Sequence, residues 1–95
     1  MDNQRDFSSR LTFDFDQVAL KDYAKITKSV VAEFKLIPHT ALVNGLEETF
    51  QDFTFNQSII GLEWDIWSGY VVNAKNTEAE VLLEKIATYI RVNNT

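Results

Sequence analysis

Two apolar stripes at helical spacing bracket an aromatic, β-branched middle, and that order leaves few folds open. From Val18 to Phe34 the residues Leu20, Tyr23, Ile26, Thr27, Val30, Val31 and Phe34 recur at steps of three and four, with Lys21, Lys25 and Lys28 largely on the other side. The spacing predicts an amphipathic helix. Asp16 is placed to cap its start, and Pro38 disfavours helical geometry at Ile37, ending it near Lys35. The second stripe is Ala79, Leu82, Leu83, Ile86, Ala87 and Ile90, with Tyr89 at its edge. Thr77-Glu78-Ala79-Glu80 ahead of it fits a capping box, in which the threonine hydroxyl and Glu80 satisfy each other's backbone N–H groups. Arg91 falls near the negative end of that helix, where a cation is favoured.

The intervening residues read as strands. Leu11-Thr12-Phe13-Asp14-Phe15, ahead of the first helix, alternates apolar and polar side chains. A short strand is possible at Thr40–Val43, followed by a turn at Gly45. Phe50–Phe55 and Ile59–Trp67, separated by Asn56-Gln57-Ser58, predict an antiparallel hairpin. Ser68-Gly69 permits a tight turn into a third strand, Tyr70–Ala74, or a bulge in a continuing second one. The order β-α-β-β-β-α implies an α+β fold. An antiparallel sheet of three to four strands carries two helices on one face, as a two-layer sandwich, and leaves its other face open. Ninety-five residues suit a single domain spanning 1–95, with the polar stretch 1–10 expected to fray.

Charge is unevenly placed. The chain carries nine basic and fourteen acidic residues, a net −5. Residues 1–35 hold six of each sign, whereas 36–76 hold Lys75 against Glu47, Glu48, Asp52, Glu63 and Asp65, a net −4. Solubility alone accounts for solvated carboxylates, but an ordinary solubilising surface intersperses lysines among them. Along an extended strand Glu63, Asp65 and Trp67 share one face, while Leu62, Trp64 and Ile66 share the other, the natural core face. A tryptophan flanked by acids on an uncovered sheet is the composition of an interaction anchor; the plainer alternative has Trp67 curling over the sheet edge onto Tyr70. The expected partner-binding set is Glu47, Glu48, Asp52, Glu63, Asp65, Trp67 and Tyr70.

Other chemistry finds little footing. Cysteine is absent, removing disulfides, thiolate catalysis and cysteine-based metal sites. His39 is the sole histidine and has no neighbour of ligand type, so neither a metal nor a cofactor is expected. Glu63 and Asp65 could form an acid/base pair only if a substrate pocket accompanied them, and no nucleophile or phosphate-loop motif occurs. An acidic sheet repels nucleic acid. No run approaches the roughly 18 apolar residues of a membrane span, and the N-terminus lacks a signal-type apolar run, so a cytoplasmic location is expected.

These features predict a small acidic interaction protein, not an enzyme, that binds a basic protein partner through its open sheet face. Inhibitors of the immunity-protein type have this size and charge, an analogy of class and not of sequence. The alternatives are a homo-oligomeric structural or regulatory subunit, hence monomer or homodimer, and a small-ligand binder. The last requires an apolar pocket with converging polar groups between sheet and helices.

Overall fold

The computed structural model describes residues 10–93 in full and the backbone of residues 2–5. Its class is α+β, with two helices and one antiparallel sheet. The strands are β1 (Asp2–Arg5), β2 (Leu11–Phe15), β3 (Ile37–Pro38), β4 (Val43–Asn44), β5 (Glu48–Phe55), β6 (Ser58–Asp65) and β7 (Gly69–Ala74). Helix α1 (Tyr23–Phe34) follows a 3₁₀ turn at Leu20–Asp22, and α2 (Glu80–Asn93) follows one at Thr77–Ala79. The strands lie in the order β1-β2-β7-β6-β5-β3, with β4 also paired to β5.

The sheet has more strands than the expected three or four. β3 and β4 are two-residue strands flanking the 39–42 segment, so the strand expected at Thr40–Val43 is displaced to either side. Across the gap the Asp52 carbonyl accepts from both His39 and Thr40 N–H, and the Asp52 N–H donates to Thr40 Oγ1. At the far edge, Asp2–Arg5 pairs with Arg5 opposite Leu11 and Asp2 opposite Asp14, where fraying was expected. Its sequence, Asp-Asn-Gln-Arg, has no apolar alternation, and the pairing rests on backbone hydrogen bonding. Met1 and residues 6–9 of the expected frayed stretch lie outside the described residues.

One sheet face is packed, and the other carries no helix among the described residues. Leu11, Phe13 and Phe15 of β2, Tyr70, Val72 and Ala74 of β7, Ile60 and Leu62 of β6, and Phe53 of β5 form one buried cluster with the two helices. Helix α1 contributes Tyr23, Ile26 and Val30 to it, and α2 contributes Leu83, Ile86, Ala87 and Ile90. Alternate residues of a strand face opposite ways, so both helices cover the same face. Three hydrogen bonds fix α1 and its entry to that face. Tyr23 Oη donates to the Leu62 carbonyl (2.6 Å), Thr27 Oγ1 meets Tyr70 Oη (2.7 Å), and Trp64 Nε1 donates to the Val18 carbonyl (2.8 Å).

The helix ends differ from expectation at their starts. The residue before the first 3₁₀ turn is Ala19, without a side-chain cap, and Asp16 stays exposed in the turn after β2. The capping box does not form either. Asn76 precedes the second 3₁₀ turn, and its side chain accepts from Ile59 N–H and donates to the Gln57 carbonyl, while Glu80 accepts from Leu11 N–H. Glu80, read as part of a local cap, is thus used to tie a distant strand, and Asn76 ties two residues of the β5–β6 hairpin. The end of α1 is as expected: Lys35 adopts a left-handed φ of 55°, and Leu36 N–H returns to the Val31 carbonyl while its side chain enters the core.

Candidate functional site: a helix-free, carboxylate-rich sheet face

Strand register arranges the uncovered face in rows. One runs Val43, Phe50, Glu63, Val71, Asp14 across β4, β5, β6, β7 and β2. The next runs Asp52, Gly61, Asn73, Thr12, and at one end Glu48 stands opposite Asp65. Five carboxylates from three strands (Asp14, Glu48, Asp52, Glu63 and Asp65) therefore share this face. Asp14 was absent from the expected set, although its alternation with Phe13 and Phe15 was the available signal.

Among the described residues, Lys75 is the cation paired with these acids. It follows β7 on the same side, with Nζ 3.2 Å from Glu63 Oε2 and 4.0 Å from Asp52 Oδ1. Gly61 leaves room for this crossing: a Cβ there would lie 2.8 Å from both Lys75 Cε and Glu63 Oε2 and 2.6 Å from Asn73 Oδ1. The pair is partly solvated, which limits its value to about 0–1 kcal/mol. Beside it, Thr12 Oγ1, Asp14 Oδ1 and Asn73 Oδ1 are buried with no hydrogen-bond partner among the described residues. Such oxygens are costly to leave unpaired.

The expected alternation through Trp67 stops at Asp65. There the chain turns, and Asp65 Oδ1 accepts from the N–H groups of Trp67 and Ser68 (2.9 and 2.6 Å). Gly69 completes the reversal at φ 72°, where a Cβ would come within 2.3 Å of the Phe15 carbonyl oxygen. Ser68-Gly69 is thus a turn into a separate strand. Ile66 consequently does not join the core with Leu62 and Trp64 but is exposed. Trp67 sits at the turn's tip, 73% exposed.

Tyr70 leaves the candidate set. It is 0% exposed, lies on the helix-covered face, and its ring centroid is 5.5 Å from that of Tyr23. Burial raises its phenol pKa and pushes that of Tyr23 up to about 12, with the Thr27 hydroxyl opposing the shift in both. Trp67 cannot pack on a side chain enclosed in this way.

What flanks Trp67 instead is the loop between β4 and β5. Ile66 N–H donates to the Glu47 carbonyl, holding loop and turn side by side. Gly45, Leu46, Glu47, Glu48 and Trp67 line a shallow hollow of about 430 Å³. Leu46 is fully exposed. It was not anticipated, and an apolar residue set between Gly45 and two glutamates was its only local signal. Glu47, Glu48, Asp65 and Trp67 thus meet at one end of the sheet, while Asp52 and Glu63 lie farther along the same face beneath Lys75.

Glu63 and Asp65 are engaged separately, one by Lys75 and one by the turn. No group of three His, Asp or Glu side chains among the described residues is placed to hold a metal ion. No helix among them is long and apolar enough to cross a membrane. No family model, curated protein or solved structure matches the chain.

Proposed function

We propose that this chain is an interaction protein that binds a basic protein partner through the helix-free sheet face, with Trp67 and Leu46 as apolar anchors at its end. It works by occupying the partner's surface and performs no chemistry. The observation that carries this reading is charge segregation. Among the described residues five carboxylates share this face with Lys75, and Arg10 lies beside Lys75 with its Nε donating to the Lys75 carbonyl, whereas Lys21, Lys25, Lys28, Lys85 and Arg91 lie on the helices or their leading turn. A face of one sign steers an oppositely charged surface and raises its association rate. An exposed indole beside a hollow supplies the area that slows release.

The test uses the protein as bait with wild-type, Trp67→Ala and Glu47→Lys/Glu48→Lys forms. One stoichiometric basic protein held by wild type, released at about 0.5 M salt where screening is short-ranged, and lost by both variants is the expected result. Retention of nothing by wild type, or of the same protein by all three forms, defeats the reading. Sedimentation across the same salt range is expected to show a monomer, since self-pairing of this face opposes like charges.

A further inference from the structure

The groove between α1 and the β4–β5 ribbon has a character opposite to that of the acidic face. The helices leave the inner side of β5 partly bare, and there a concave site of about 570 Å³ opens between Leu20, Ala24 and Lys28 on one wall and Leu42, Asn44 and Gln51 on the other. That volume falls within the roughly 300–1,000 Å³ of small-molecule sites.

Its polar side chains are largely occupied by the protein itself. Tyr23 Oη donates to the Leu62 carbonyl, Thr27 pairs with Tyr70, Thr49 donates to Asn44 Oδ1, and Gln51 donates to the Thr40 carbonyl. The walls therefore present mainly carbon, with Leu20 and Leu42 as half-exposed lips. No carboxylate lines the groove, and Lys28 is its one charged lining residue. Lys21 lies two helical turns before Lys28 and shares its side of the helix, whereas Asp22 and Glu33 fall on the other flank. Neither lysine has an ion-pair partner among the described residues.

We infer that this groove binds a small amphipathic carboxylate, its alkyl or aryl body between Leu20, Ala24 and Leu42 and its anionic head at Lys28. An apolar slot selects the body, and Lys28, in a groove lined by no carboxylate, selects the charge. The inference is independent of the partner-binding reading, because the two sites are on opposite faces of the sheet and meet only at Gly45.

Titration calorimetry with decanoate and with decanol tests it. Wild type is expected to bind one decanoate, and decanol several-fold more weakly. Lys28→Glu replaces an attraction at the lip with a repulsion and is expected to weaken decanoate about tenfold or more while leaving decanol within about twofold. Ala24→Trp, at an exposed helix position, fills the slot and is expected to remove binding of both. Trp67→Ala is expected to bind decanoate as wild type does, which keeps this outcome separate from failure of the partner site. Absence of decanoate binding to wild type at millimolar concentration overturns the inference, as does binding that neither Ala24→Trp nor Lys28→Glu weakens.

Discussion

The two faces of one sheet share strands and register yet rest on different physics. On the covered face Leu11, Phe13 and Phe15 of β2, Ile60 and Leu62 of β6, and Tyr70, Val72 and Ala74 of β7 form one cluster with the helices, and Ile60, Leu62, Tyr70 and Val72 are wholly enclosed. On the other face the same strands present Asp14, Glu63 and Asp65, with Lys75 as the partner of Glu63. The first face determines whether the chain folds. The second is enclosed at Thr12, Val71 and Asn73 but leaves Glu63 and Asp65 of β6 partly solvated. The comparison implies that substitutions should sort by face and not by strand.

The sharpest way to break that comparison is on β6. Leu62→Ala deletes a fully buried side chain and should destabilise by about 2–5 kcal/mol, read from the denaturation midpoint. Glu63→Gln, the next residue, should stay within about 0.5–1 kcal/mol, because only a partly solvated ion pair is lost. Similar costs for the two would mean that the uncovered face is structural after all.

A smaller effect is expected at the polar point within the packed face. Thr27→Val keeps the volume but leaves Tyr70 Oη without its partner, a loss of about 1–3 kcal/mol for an unsatisfied buried group. The same hydroxyls give the covered face a pH response. The fold prefers the neutral Tyr23 phenol, whose pKa is raised from 10.0 to about 12. The stability tied to that preference is intact below pH 10 and disappears as pH climbs from 10 toward 12. Tyr70 shifts in the same direction. Denaturation midpoints measured between pH 9 and 12 should therefore fall above pH 10, and Tyr23→Phe should flatten part of that decline. A decline unchanged in Tyr23→Phe would assign it to other groups.

Much of the covered face was legible because it depends on local period. The stripes from Tyr23 to Phe34 and from Leu82 to Ile90, the alternation of Leu11, Phe13 and Phe15, and the hairpin at Asn56-Gln57 are all patterns a short window contains. The parts that escaped depend on distant competitors. Glu80 lies where a capping box needs it, but Leu11 N–H, 69 residues away, claims its carboxylate. Asn76 caps nothing through its side chain because Ile59 and Gln57 hold it. On the other face, alternation placed Glu63 and Asp65 together and away from Leu62 and Trp64, as the register does. Trp67 and Tyr70 were not placed by it, since one turn after Asp65 moved the first to a tip and restarted the period for the second.

The smallest expected effect on stability is the most informative about the uncovered face. Trp67 is exposed and makes only a backbone hydrogen bond, from its N–H to Asp65. Trp67→Ala should therefore leave the denaturation midpoint within about 0.5 kcal/mol of wild type. Asp65→Ala removes the acceptor of two turn N–H groups and should cost about 1 kcal/mol, although it alters the face by a single charge. If Trp67→Ala proves as costly as Asp65→Ala, the indole is part of the folding core of that end, and its exposure is no longer an argument for a partner. If it is silent in stability and removes partner retention, fold and recognition are separable in two residues of one turn.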